Sequence, residues 1–301
     1  MNRVISLAIV LGLCVVGLTK ASSQDAQVFV STIWLADHLK DPSLVVLHVT
    51  QYRREYDKGH IPGARFLWPG SLAASNTELS YELVPLAQLD SVLEGLGVSN
   101  NSRIILCGVG GNVSPTARMF VTLDYLGMGD RTSILDGGLD AWKAEGRPVS
   151  KDVPKIKRTR FTPHLRRDAI IDASVVHSDL HKPGVSIIDA RSSQYYNGEG
   201  GGFPRKGHIP GAVNIYFETL VDSTNKMLSP STLRGMFTTA GVKQGDEVIT
   251  YCHVGQTACV DYVAARSLGY KVHLYDGSFE DWSGREDLPI ELSGGKAATG
   301  K

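Results

Sequence analysis

The sequence predicts an α/β protein made of the same unit twice, each half a mostly parallel sheet flanked by helices. Three observations carry that expectation. Short continuous apolar runs alternate with stretches of helical periodicity, as buried parallel strands and their right-handed helical crossovers do. The hexapeptide GHIPGA occurs at 59–64 and again at 207–212. The elements around the two copies follow one order, the signature of a duplicated domain. A chain of 301 residues is long for a single core and comfortable for two.

Taken in order, residues 1–23 join the one positive charge of MNR, the apolar run VISLAIVLGLCVVGL and a small-residue stretch, the layout of a secretory signal peptide. The run is short for a spanning helix, although an uncleaved anchor shares this pattern. Leu13 precedes Cys14 where a lipoprotein signal needs a small residue, which argues against lipidation. Cleavage there implies an exported protein, periplasmic or secreted, with no stable membrane association afterwards. The first half, 24–150, runs from the strand-like LVVLHV (44–49) through GHIPGA to RIILC (103–107), the helical ARMFVTLDYLG and LDGGLDAW (135–142). Residues 151–167 hold seven basic residues against one acid with scattered prolines, and read as a linker rather than an anion-binding face. The second half, 168–292, repeats the order with VSIIDA (185–190), GHIPGA, EVITYC (247–252), ACVDYVAARSLG and YDGSFEDW (275–282). The tail, 293–301, is expected to be disordered.

The formal net charge is 0, which argues against a nucleic-acid partner bound through its phosphates. Beyond the leader the cysteines are Cys107, Cys252 and Cys259, a count that suits free thiols better than a disulfide framework. No His and Cys spacing makes a metal site, and no cofactor motif is present. The glycine-rich 197–207 lacks the GK[ST] ending of a phosphate loop and reads as a flexible surface loop.

The chemistry concentrates at Cys252. It ends an apolar run and stands before the turn HVGQT and an Ala-rich helical pattern. In parallel sheets ligands gather at the carboxyl ends of strands. A loop of residues 253–257 can turn successive backbone N–H groups toward the sulfur, a nest that holds an anion and favours the thiolate. Gly255 permits the curl, and Thr257 adds a hydroxyl or caps the helix. Cys259 falls inside that helix, where packing is its expected role. A buried core cysteine is the plainer alternative for Cys252.

Together, the twofold GHIPGA, IIDAR at 187–191, the loop from Cys252 to Thr257 and YDGSFEDW make the chain resemble a tandem-domain rhodanese, of the thiosulfate or 3-mercaptopyruvate sulfurtransferase family. The resemblance spans roughly residues 25–292. It implies an α/β fold in each half, a catalytic cysteine in the second half alone, and a Cys252 persulfide passed from a small anionic sulfur donor to a thiophilic acceptor. It implies substrate contacts from the loop residues His253, Val254, Gly255, Gln256 and Thr257, and from Arg191, which matches a position near the site mouth and either steers an anionic donor or pairs with Asp189. A second arginine often present four residues on is replaced here by Tyr195, with Arg205 and Lys206 as candidates to stand in for it. In the first half His48 and Thr50 take the places of Asp189 and Arg191, Cys107 that of Tyr251, and Gly108 or Gly110 that of Cys252, so this half is expected to be structural and to wall the cleft. His60 and His208 are expected to hold their turns by hydrogen bonds.

Members that prefer thiosulfate tend to have cationic residues after the cysteine, and those that prefer 3-mercaptopyruvate small uncharged ones; His253 and Val254 match neither pattern. The single Arg191 and the export signal favour thiosulfate. The alternatives are 3-mercaptopyruvate turnover and a sulfur carrier that binds without turnover. A cysteine phosphatase needs an arginine six residues after the nucleophile, and Ala258 stands there.

Overall fold

The structure is a computed structural model that describes residues 27–74, 79–292 and 296–297. The expected export signal at 1–23 lies outside the described residues, as does most of the tail at 293–301. The first half comprises strands β1 (Phe29–Val30), β2 (Leu44–Val49), β3 (Arg65–Leu67), β4 (Ala73–Ala74), β5 (Glu82–Leu83), β6 (Arg103–Gly108) and β7 (Thr132–Leu135). Its helices are α1 (Thr32–His38), α2 (Arg53–Lys58), α3 (Leu86–Gly95), α4 (Ser114–Tyr125) and α5 (Gly138–Ala144). The second half comprises β8 (Ile170–Ile171), β9 (Val185–Asp189), β10 (Val213–Asn214), β11 (Glu247–Tyr251), β12 (Lys271–Tyr275), β13 (Glu291–Leu292) and β14 (Lys296–Ala297). Its helices are α6 (Ala173–Ser178), α7 (Ser193–Tyr196), α8 (Pro230–Ala240), α9 (Ala258–Ser267) and α10 (Ser278–Gly284).

Each half builds a five-stranded sheet, ordered β1-β7-β6-β2-β3 and β8-β12-β11-β9-β10, so the two correspond strand for strand. Every pairing inside these sheets is parallel. The register sets His48 beside Cys107 in one half and Asp189 beside Tyr251 in the other. Gly108 therefore takes the place of Cys252.

Alternation along the strands sorts side chains into three layers. Val45, Leu47 and Val49 of β2, Ile104 and Leu106 of β6, and Val248 of β11 face a core common to both halves. Val46, Ile105 and Cys107 face outward onto Leu35 of α1 and Trp142 of α5, while Ile249 and Tyr251 face Val176, Phe279 and Trp282. Helices α4 and α9 fill the common core and pack on each other. Both are covered on nearly all sides, which explains their apolar composition and the small residues Ala258, Ala264 and Ala265 of α9. Each buried Leu, Val or Phe there contributes about 1.5–3 kcal/mol, so the halves stay docked.

The repeated hexapeptide is a brace. Tyr56 stacks on His60 and Tyr196 on His208, each at 3.8 Å between ring centroids. Nδ1 of His60 donates to the Tyr56 carbonyl at 3.0 Å, and Nδ1 of His208 to that of Tyr196 at 2.8 Å. The two tyrosine hydroxyls donate to Ala64 and Ala212 carbonyls at 2.8 and 2.7 Å. Both histidines hold their turns, as expected from the sequence.

Candidate active site

Cys252 follows β11 directly and is 1% exposed, with its side chain on the face shared by the two halves. Its peptide neighbours are fixed by the turn between β12 and α10. The Cys252 amide donates to Ser278 Oγ at 3.1 Å, the Cys252 carbonyl accepts from the Phe279 amide at 3.0 Å, and the His253 carbonyl from the Glu280 amide at 2.9 Å. The Gly255 carbonyl accepts from the Arg118 guanidinium at 3.0 Å and from Cys259 Sγ at 3.2 Å. In a trans peptide the carbonyl and the following N–H point opposite ways. Drawing the carbonyls of 252, 253 and 255 outward therefore aims the N–H groups of His253, Val254 and Gln256 to the other side. No backbone N–H from His253 to Ala258 has an acceptor among the described residues.

N–H groups left open in this way can hold an anion, and α9 begins at the end of the loop, adding the positive field of a helix N-terminus. Gly255 sits at φ +73, and a Cβ there would lie 2.4 Å from the Asp276 carbonyl oxygen, so only glycine fits this corner. Thr257 takes the position before the helix without a side-chain capping bond. Val254 and Gln256 are half-buried. Ser278, at φ +53, donates from Oγ to the Tyr275 carbonyl at 2.9 Å while receiving the Cys252 amide. Its part was hidden in the sequence inside YDGSFEDW.

His253 packs edge-on to Tyr195 at 4.5 Å and stacks against Phe203 at 5.4 Å. Burial, helped by the nearby Arg191 charge, pushes its pKa below the ordinary value, so the imidazole is neutral at neutral pH. Phe203 arrives on the glycine-rich segment 197–207, which reads as a flexible surface loop in sequence yet covers the candidate site here.

Arg191 does not stand at an open mouth. It is 1% exposed; its guanidinium reaches both oxygens of Asp189, at 2.6 to 3.1 Å, and the Gly207 carbonyl at 2.8 Å. It also lies 3.8 Å from the Phe279 ring centroid. Asp189 takes the Tyr251 hydroxyl as well, at 2.6 Å. Burial opposes the charge of Arg191 and Asp189 sustains it, so the pair with Asp189 is the alternative that forms. Arg205 is no substitute, because it caps carbonyls at the end of α10: those of Trp282, Ser283, Arg285 and Leu288. Lys206 is exposed.

The first half contributes more than a wall. Arg118 of α4 is 1% exposed and pairs with both oxygens of Asp276, and its other nitrogen also donates to the Tyr81 carbonyl at 2.7 Å. The Ser80 amide and hydroxyl donate to Glu280 at 2.6 and 3.0 Å. Sequence reasoning missed these contacts. In the first half's own degenerate loop Cys107 is fully buried, and burial pushes its thiol up to about 12. Burial also holds the Cys259 thiol far above its ordinary value.

Comparison with known proteins agrees with the fold. The rhodanese-like domain profile matches residues 31–145 and 172–285. A thiosulfate sulfurtransferase of Azotobacter vinelandii is 31% identical over 86% of this chain and 94% of its own length. A 3-mercaptopyruvate sulfurtransferase of Escherichia coli K12 is 29% identical over 87% and 97%, and the sulfur carrier protein TtuD of Thermus thermophilus 31% over 88% and 96%. The crystal structure of SseA from Escherichia coli, described as a 3-mercaptopyruvate sulfotransferase, superposes with a TM-score of 0.75 at 28% identity, covering 84% of this chain and 98% of that one.

Proposed function

The chain belongs to the rhodanese-like family, and on that premise we propose that it moves a sulfane sulfur from thiosulfate to cyanide or a thiol through a persulfide on Cys252. One observation carries the reading: Cys252 opens a loop whose backbone N–H groups, from His253 to Ala258, have no acceptor among the described residues and lead into a helix N-terminus. The Cys252 thiolate attacks the outer sulfur of thiosulfate, the S–S bond breaks, and sulfite leaves with the electron pair. The negative charge passes to the terminal sulfur of the persulfide, where the loop's N–H groups stabilise it. The acceptor attacks that sulfur and the Cys252 thiolate departs, so cyanide becomes thiocyanate.

The choice of donor rests on which cations are free. 3-Mercaptopyruvate carries a carboxylate beside a ketone, a pair suited to an arginine fork. Arg191 is committed to Asp189, which removes it as a steering cation and as the ground it gave for thiosulfate, and Arg205 is committed to main-chain carbonyls, so neither offers that fork. A small dianion that a main-chain nest can hold suits the site better. In this reading the first half takes no chemical step, and the chain works outside the cytoplasm after loss of residues 1–23, which N-terminal sequencing of the recovered protein tests.

The deciding experiment is turnover of the purified protein with thiosulfate and with 3-mercaptopyruvate, cyanide as acceptor, and Cys252→Ala beside it. Faster turnover with thiosulfate, abolished in the variant, is the expected result. Faster turnover with 3-mercaptopyruvate overturns the donor, and activity surviving in the variant overturns Cys252. A single sulfur loaded without turnover makes the protein a carrier.

A further inference from the structure

Three carbonyls of the Cys252 loop are drawn outward, and two of them by amides of the same half. The third, Gly255, is held by a side chain of the other half. The Arg118 guanidinium gives one nitrogen to the Gly255 carbonyl at 3.0 Å and to Asp276, and the other to Asp276 at 3.0 Å and to the Tyr81 carbonyl at 2.7 Å. The planar fork has no slack: from α4 its two arms answer the Cys252 loop, the β12–α10 turn and the segment before β5 at once. Gly255 is also the corner where the loop could turn its peptide over, because glycine at φ +73 tolerates either orientation of the peptide that follows. A flip would put a carbonyl oxygen where the Gln256 N–H now points, on the side away from Arg118.

We propose that Arg118 is a positioning residue for the Cys252 reaction: by fixing the Gly255 carbonyl outward it keeps the Gln256 N–H in the nest, so the first half sets the acidity and reactivity of the second half's thiol. The proposal rests on the sulfurtransferase reading for its link to turnover, but not for its effect on the thiol. Arg118 touches neither donor nor acceptor, and acts only through the loop.

The test is the pH dependence of Cys252 alkylation by iodoacetamide, followed by mass spectrometry of the Cys252 peptide, in the full chain. Arg118→Lys keeps a positive charge beside Asp276 but cannot fork to Gly255 as well. The double variant Arg118→Gln with Asp276→Asn removes both charges of the pair and serves if the lysine variant does not fold. Tyr262→Phe, at the same junction but off the loop, controls for loosened packing. The expected result is an alkylation midpoint about one pH unit higher in either Arg118 variant, an interaction loss equivalent to about a tenfold change, with the Tyr262→Phe midpoint unchanged. Where the wild type turns over, kcat is expected to fall by a similar factor with KM little changed. A midpoint that stays put in a folded Arg118 variant, or one that moves equally in Tyr262→Phe, overturns the proposal. Absence of turnover in the wild type removes the sulfurtransferase reading and leaves the alkylation result to decide the role of Arg118.

Discussion

Tyr262 of α9 donates its hydroxyl proton to Asp124 of α4 at 2.7 Å, and the two side chains come from opposite halves of the chain. The Asp124 carboxylate also receives Arg166 at 2.7 Å. Removing the hydroxyl by Tyr262→Phe takes one donor from a buried carboxylate, which costs about 1–3 kcal/mol. The expected result is a lower denaturant midpoint with one cooperative transition still, because the common core spans both halves. Separate unfolding of two halves in the wild type would contradict the shared core.

His48 predicts acid sensitivity. It is fully buried, neither ring nitrogen has a partner among the described residues, and burial, with His60 nearby, lowers its pKa from 6.5 to about 4. Between those values the unfolded chain binds a proton that the folded chain refuses, so stability falls as pH drops from 6.5 and the loss is complete near 4. A shift of this size corresponds to about 3 kcal/mol. His48→Leu is expected to flatten the slope of unfolding free energy across this window without loss at pH 8. An unchanged slope would show that His48 is not the group responsible.

The thiols are expected to differ in reactivity. Burial holds Cys107 near 12 and Cys259 far above its ordinary value. Under native conditions near pH 7 iodoacetamide is expected to modify Cys252 alone, and all three sites after denaturation. Native labelling of Cys107 at a rate like that of Cys252 would count against a silent first half.

Gly255→Ala places a Cβ 2.4 Å from the Asp276 carbonyl oxygen at a backbone angle of +73°. Strain of this kind costs about 1–3 kcal/mol, and relief comes by opening the loop. Turnover is expected to fall at least a hundredfold while the melting temperature drops by only a few degrees. Activity near that of the wild type would mean that the nest does not stabilise the reacting sulfur.

The duplication, the parallel sheets and the position of Cys252 at a strand end were legible in the sequence because each depends on local pattern: apolar runs, a repeated hexapeptide and a glycine inside a short turn. The site's supporting parts were not, because they depend on which faces meet. Arg118 reads as one more helix residue until α4 lies against α9. Phe203 reads as part of a glycine-rich loop until that loop folds over His253. Arg191 reads equally as a mouth residue or an internal pair, and the hydroxyl of Tyr251, one strand away, belongs to the network that keeps its partner Asp189 inside.

A nest made of main chain separates two kinds of information. The N–H groups that would hold the charged sulfur come from the path of the backbone, which Gly255 maintains from within the loop and Ser278 and Arg118 from outside it. The side chains of His253, Val254 and Gln256 carry no part of that framework. Exchanging them leaves the charge-holding atoms where they are and changes only what a visiting molecule meets, so this loop can take on a new donor or acceptor without rebuilding its chemistry.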